Sequence, residues 1–186
     1  AKNGTTSAAT AGGGAGGNVI LNPTGNSLNI AGNGQITVAT SGTGSAGVFA
    51  DAESFAVGDF VVAVPALTID GASLTAATRG PQPGGDIEII TNQLSVTNGG
   101  EITASTTGTG AGGSVTLNTS NIRLAGGGQI SASTFGPGQG GSLTVNHDGP
   151  LILRGNGRLT VEAGAAGGQS GNLAINAETL RLQDGI

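Results

Sequence analysis

The sequence contains no cysteine, so disulfide bonds and thiolate metal sites are excluded. Aromatic residues are scarce, with four Phe and no Tyr or Trp, so the core is not built from large rings. Only 6 Lys and Arg stand against 11 Asp and Glu, and they form no basic patch of the kind that binds nucleic acid. The longest apolar run, residues 60–67, is interrupted by Pro65 and is too short to span a bilayer. We therefore expect neither nucleic-acid binding nor membrane insertion.

Glycine, by contrast, is abundant, with 38 residues in a chain of 186, and it recurs in a fixed pattern. Ile87, Leu94 and Ile102 mark three apolar sites, and a glycine-rich run then leads to Val115, where the pattern restarts. The spacing from Ile87 to Val115 is 28 residues, and the spacing from Val115 to Leu143 is the same. A period of this size is typical of a solenoid, in which each repeat contacts only its neighbours. The chain, 1–186, is therefore predicted to be one continuous body.

Each apolar site is a pair of residues two positions apart, as in Val115 and Leu117. A period of two is the strand period, so each pair points inward from a short strand. Three such strands form one triangular coil, and stacked coils pair equivalent strands in parallel about 4.8 Å apart. We predict an all-β fold: a parallel β-helix, or β-solenoid, with three short strands and about 28 residues per coil. We expect right-handed winding, as is usual for parallel crossovers.

The turns, one irregular segment and the chain ends lead to further expectations. Asn33-Gly34, Asn98-Gly99 and Asn156-Gly157 precede the third strand and are residues that accept positive φ. The segment around 41–60 departs from the period and is predicted to be an irregular coil. The chain begins and ends within a repeat, so we expect it to be cut from a longer array. Its ends would continue into further coils or meet another copy head to tail.

Asparagine recurs at one position of the repeat, three residues after the first-strand anchor. The residues concerned are Asn22, Asn118, Asn146 and Asn176. Stacked amide side chains can form a hydrogen-bonded ladder along a solenoid. The alternative interpretation is that these are ordinary strand-end asparagines, and we favour the ladder.

The repeat unit resembles that of a known family. Gly85-Asp86-Ile87-Glu88-Ile89 and Gly128-Gln129-Ile130-Ser131-Ala132 are similar to repeats of cyanobacterial filamentous-haemagglutinin-like exoproteins, the secreted partner of two-partner secretion. The resemblance implies a right-handed β-helix, export across the outer membrane and an extracellular or cell-surface location. It also implies a structural role in a surface fibre or adhesin. It supplies no functional residue to transfer, because the repeat motif has none.

Two outward rows suggest alternative functions in binding. A row of small hydroxyl residues on the third strand would suit an ice-binding surface, although threonine is also an ordinary exposed strand residue: Thr37, Thr75, Thr103, Ser131 and Thr160. A row of arginines on successive second strands could bind a glycan carboxylate or phosphate, or could be solvated surface charge: Arg123, Arg154 and Arg181. Phe49 and Phe135 are predicted to point outward, where they could stack on a sugar or pack under a loop.

We predict no catalytic activity, cofactor or metal ion. His147 is the only histidine and is expected to lie solvated in a turn. The remaining enzymatic alternative, a polysaccharide-active β-helix, rests on Asp51 and Glu53, an outward carboxylate pair able to act as acid and base. Aspartates do not recur at a regular position, as the calcium-binding nonapeptide repeats require.

Overall fold

The computed structural model describes residues 5–10, 21, 26–40, 60–164 and 168–183. Within these residues every regular element is a β-strand. The irregular coil predicted around 41–60 lies outside the described residues, except for Phe60. Four residues named above also lie outside them: Asn22, Phe49, Asp51 and Glu53.

The described strands follow the three predicted sites of each repeat. They are β1 (Thr5–Thr10), β2 (Leu28–Ala31), β3 (Gln35–Thr40), β4 (Phe60–Asp70), β5 (Ser73–Thr78), β6 (Ile87–Thr97), β7 (Glu101–Thr106), β8 (Val115–Ala125), β9 (Gln129–Thr134), β10 (Leu143–His147), β11 (Pro150–Arg154), β12 (Arg158–Ala163), β13 (Leu173–Asn176) and β14 (Thr179–Gln183).

Two parallel sheets run along the molecule. The third strands of successive coils form one sheet in the order β1-β3-β5-β7-β9-β12. The other sheet has the order β13-β10-β8-β6-β4-β2, with β11 and β14 attached beside it. Side chains hydrogen-bonded from one coil to the next lie 27, 28 or 30 residues apart. The predicted parallel β-helix with about 28 residues per coil is confirmed, while its handedness stays a prediction.

The first and second predicted strands are continuous in three coils. β4, β6 and β8 are each 11 residues long and pass through both sites. The next coil contains one extra residue at the corner between the sites, since His147 pairs with Thr119 but Ile152 pairs with Arg123. This insertion divides the long strand into β10 and β11 at Asp148 and Gly149.

The core is a vertical stack of aliphatic side chains. Ile87, Val115 and Leu143 lie in register in the first strand sites, and all three are buried. Ala104 and Ala132 stack in the same way inside the third-strand sheet. Burying a large aliphatic side chain contributes roughly 1.5–3 kcal/mol. Repetition of such aliphatic layers stabilises the solenoid.

The turn before the third strand combines positive φ with close packing. Asn98 and Asn156 have φ values of 54° and 63°, whereas in the first described turn Gly32, at 69°, takes this role instead of the predicted Asn33. The last glycine of the turn has ordinary φ and serves a different purpose. A Cβ on Gly100 would lie 2.5 Å from the carbonyl oxygen of Ile69 in the coil beneath.

The glycine-rich loops also stack along the axis. Their backbones hydrogen-bond from coil to coil: Gly84 N donates to Ala111 O at 2.7 Å, and Gly112 N donates to Gln139 O at 2.7 Å. A Cβ added to Gly141 would overlap the carbonyl oxygen of Gly113 below it. Glycine is abundant in these loops because neighbouring loops approach backbone to backbone.

Candidate functional site

A groove follows the outside of the corner between the first and second strand sites. At this corner the parallel pairing joins Val64 to Thr91 and Ala66 to Gln93. Pro65 and Asn92 lie between these pairs and are not paired with each other. Buried Thr91 fixes the local backbone, because its hydroxyl donates to Gln93 O at 3.1 Å and accepts from Gln93 N at 3.3 Å. The groove has a volume of about 520 Å³ and is lined by Val64, Pro65, Ile90, Thr91, Asn92, Asn118, Thr119, Ser120, Asn146 and Asp148.

Three of the predicted ladder asparagines form one wall of this groove and its extension. Asn146 Nδ2 donates to Asn118 Oδ1 at 2.8 Å, and Asn176 Nδ2 donates to Asn146 Oδ1 at 2.8 Å. The chain of amides ends at Glu88, whose Oε1 accepts from Asn118 Nδ2 at 3.3 Å. The side chains therefore form a continuous polar line along the axis. Ile90 takes the equivalent position one coil earlier and is 44 % exposed.

His147 lies at the same corner, and the prediction of a solvated turn histidine is wrong. The side chain is only 6 % exposed and occupies the inward position above Thr119. Its Nδ1 lies 3.0 Å from the carbonyl oxygen of Thr119. A carbonyl oxygen can only accept a hydrogen bond, so Nδ1 carries the proton. The ring is part of the packed corner.

The predicted hydroxyl row on the third-strand sheet is aligned by the pairing. Thr37 pairs with Thr75, Thr75 with Thr103, Thr103 with Ser131, and Ser131 with Thr160. Ser131 Oγ donates to Thr103 Oγ1 at 3.2 Å. Ser131 is 2 % exposed, whereas the four threonines are partly exposed. The row is therefore in register but is not uniformly open at its surface.

The predicted arginine row is only partly aligned. Arg123 and Arg181 both pair with Ile152, so they occupy one column with an isoleucine between them. Arg154 pairs with Gln183 and lies in the next outward column. The three arginines lie on successive second strands, as predicted. They do not share one column, because Arg123 and Arg181 directly follow their strand anchors and Arg154 comes three residues after Leu151. All three side chains are exposed.

Phe135 points outward, as predicted, and is 50 % exposed. A Cβ added to Gly164 would lie 2.9 Å from Phe135 Cα and 3.2 Å from its ring. The glycine of the next coil therefore lets the chain pass close to this aromatic residue.

A second polar line precedes the first strand of each coil. Ser114 N donates to Asp86 Oδ1 at 2.6 Å, and Ser142 N donates to Ser114 Oγ at 3.3 Å. Asn172 N continues the line to Ser142 Oγ at 3.4 Å. Partial desolvation raises the pKa of Asp86, and the hydrogen bond from Ser114 opposes that shift. These hydrogen bonds hold the backbone in place directly before the first strand of each coil.

An inward row of threonines is a feature that sequence reasoning missed. Thr78, Thr106 and Thr134 are 0–1 % exposed and end the third strand inside the solenoid. Thr134 Oγ1 accepts from Gly141 N at 3.3 Å, whereas the hydroxyls of Thr78 and Thr106 have no hydrogen-bond partner. The signal in the sequence is the strand period. It places Thr106 on the same face as Ile102 and Ala104, which point inward.

Among the described residues, no three His, Cys, Asp or Glu side chains lie close enough together to hold a metal ion. The same part of the chain contains no helix long and apolar enough to cross a membrane. The carboxylate pair Asp51 and Glu53 lies outside it, so the polysaccharide-active alternative stays a prediction. No family model, curated protein or solved structure matches this chain.

Proposed function

We propose that this chain is a structural segment of an extracellular surface fibre or adhesin, in which a β-solenoid rod positions other parts of the molecule. The observation that carries the proposal is the uninterrupted axial ladder. Six third strands pair in parallel, and the glycine-rich loops between coils continue the hydrogen bonding. Neighbouring described coils are joined through both sheets and through the glycine-rich loops, so tension along the axis is distributed over several rows of hydrogen bonds.

The last described coil exposes leucines at positions that are buried in the preceding coils. Leu180 and Leu182 occupy inward positions of the stack, but they are 50 % and 60 % exposed. Leu173, in register above Leu143, is 45 % exposed. Apolar side chains at an open strand edge favour pairing with a further coil or with another copy. The surface location and the adhesive role are supported by the resemblance of the repeats to filamentous-haemagglutinin-like exoproteins.

Labelling intact producing cells with an antibody against this chain tests the proposal. Immunoelectron microscopy should show label on the outer surface or on material extending from it. Permeabilised cells provide the control for antibody access. Label that is found only after permeabilisation would reject the extracellular fibre.

Head-to-tail association is tested on the purified chain by analytical ultracentrifugation and electron microscopy. Leu180→Lys and Leu182→Lys should abolish concentration-dependent association, because each places a charge on the open end of the apolar stack. Ile90→Lys is the matched control, since Ile90 is similarly exposed but lies on the side of the rod. Equal association of end and side variants would show that copies do not meet through this edge.

A second candidate is ice binding, and the specific observation in its favour is the in-register stacking of Thr37, Thr75 and Thr103. This candidate requires thermal hysteresis in the purified chain. Replacing Thr75 and Thr103 by bulky residues should remove the hysteresis. Unchanged hysteresis in these variants, or none in the parent chain, would reject the threonine row as an ice-binding surface.

A further inference from the structure

The corner groove contains amide groups whose hydrogen-bonding capacity is not exhausted. Asn118 uses one N–H toward Glu88 and accepts one hydrogen bond from Asn146. Asn146 likewise donates to Asn118 and accepts from Asn176. A side-chain amide has two N–H donors and an oxygen with two lone pairs. Each of these asparagines therefore retains a donor and an acceptor, while the ladder holds its amide group in position.

Apolar surface lies beside these fixed polar groups. Ile90 is 44 % exposed next to Asn118 in the ladder, and Pro65 is exposed at the corner of the preceding coil. Asn92 and Ser120 contribute further exposed polar groups on the opposite side of the corner. Apolar contacts combined with a few fixed polar groups are the usual composition of a small-molecule site, and the volume of about 520 Å³ falls within the usual range.

The spacing of the groove indicates an elongated ligand. Adjacent coils are about 4.8 Å apart. That distance is close to the length of one pyranose unit in an extended glycan chain. A glycan that follows the axis would thus present one sugar ring to each coil. Ring hydroxyls would bind the free amide groups, and the C–H faces of the rings would contact Ile90 and Pro65.

The charge of the groove lining indicates which class of glycan can bind there. Asp148 is exposed in the groove, and Glu88 lies at the end of the asparagine ladder. Among the described lining residues there is no Lys or Arg. An acidic glycan would meet like charge without a basic partner, which is unfavourable. A neutral glycan meets no such repulsion, and its hydroxyls can donate to the carboxylate of Asp148.

We infer that the corner groove binds a neutral, extended polysaccharide parallel to the solenoid axis. This inference deepens the proposed adhesive role, because it names the surface and the ligand class. Binding at a single groove is expected to be weak, since the site has no aromatic platform and is open to solvent. Repetition of chains along a fibre would raise the avidity.

The test uses the full chain and a panel of neutral hexasaccharides of β-linked glucose, xylose, mannose and N-acetylglucosamine. NMR titration should shift the amide signals of Asn92, Asn118 and Asn146 with at least one of them. Ser120→Arg fills the groove with a long cationic side chain at an exposed position. Ser95→Arg is the matched control, because Ser95 lies outside the groove and pairs with Arg123, so arginine is already accommodated in that column.

We expect Ser120→Arg to weaken binding by about tenfold or more, and Ser95→Arg to leave it within about twofold, which separates the two variants by roughly 1 kcal/mol. Equal loss in both variants would overturn the inference. So would the absence of any shift across the panel, or binding of acidic glycans alone that disappears with salt. Far-ultraviolet circular dichroism confirms that both variants fold. The association assay with Leu180 and Leu182 variants needs no glycan, so failure of the groove and failure of the fibre are distinguishable.

Discussion

The last glycine of the turn before the third strand provides the sharpest test of coil stacking. Gly128 has ordinary φ, and a Cβ there would overlap the carbonyl oxygen of Val96 in the coil beneath and lie 3.3 Å from Ala125 O. Gly127 has a φ of 77°, and its Cβ would meet only atoms 3.9 Å away or more. The two neighbours are therefore glycine for different reasons. Gly128→Ala tests contact between coils, and Gly127→Asn tests backbone conformation alone.

The expected magnitudes differ clearly. Overpacking costs about 1–3 kcal/mol, and displacing a ladder carbonyl weakens a hydrogen bond worth about 1 kcal/mol, so Gly128→Ala should destabilise the chain by about 2–4 kcal/mol. For a chain of this length that corresponds to a fall in Tm of about 5–15 °C. Gly127→Asn should change stability by less than about 0.5 kcal/mol, because Asn156 occupies the equivalent position with a φ of 63°.

Thermal and urea unfolding followed by circular dichroism at 218 nm measures both variants against the parent chain. Equal stability of Gly128→Ala and the parent would refute the stacking of Gly128 on Val96. Equal destabilisation by both substitutions would show that the turn conformation, and not contact with the coil beneath, accounts for the glycine. The turn before β5 is one residue shorter and has Ala72 at the corresponding position. The requirement for glycine at this position is therefore limited to the longer turn.

Three further predictions concern individual polar side chains. Thr134→Val should cost about 1 kcal/mol of unfolding free energy, and Thr106→Val should be neutral or stabilising, because only the Thr134 hydroxyl has a partner; equal losses in urea unfolding would contradict this. Desolvation raises the pKa of Asp86 in the folded chain. The parent chain therefore loses stability as the pH rises through that pKa. Compared with the parent chain, Asp86→Asn should become more stable between pH 3 and pH 7. The gain should stay below about 0.5 kcal/mol since the side chain is exposed, and a relative loss toward neutral pH would refute the sign. Nitrogen-15 NMR should show His147 protonated at Nδ1, and an unprotonated Nδ1 would contradict the hydrogen bond to Thr119 O.

Some errors of sequence interpretation were avoidable. Leu143, Val145 and His147 alternate, and the strand period alone places His147 on the inner face. Arg154 lies three residues after Leu151, whereas Arg123 and Arg181 directly follow their anchors, so the offset was present in the spacing. In both cases the distance from the strand anchor determines the face and column of the side chain, whereas residue type alone does not.

Other features were not accessible from the pattern. The burial of Ser131 beside partly exposed Thr103 has no counterpart in the sequence, because both are small hydroxyl residues at the same repeat position. The groove likewise joins Ile90 and Asn118 to Asn92 and Ser120 across a corner. Alternation predicts that each of these side chains points outward, but it does not say that they face one another.

The sequence by itself determined the parallel stack, its period and its aliphatic interior, because a constant spacing places identical positions one above another and fixes their axial neighbours. Only the tertiary structure decided which rows approach one another around the coil, and hence where a groove opens. Those lateral distances depend on the direction the backbone takes at each corner. That direction is set by packing between coils, which a one-dimensional period does not contain.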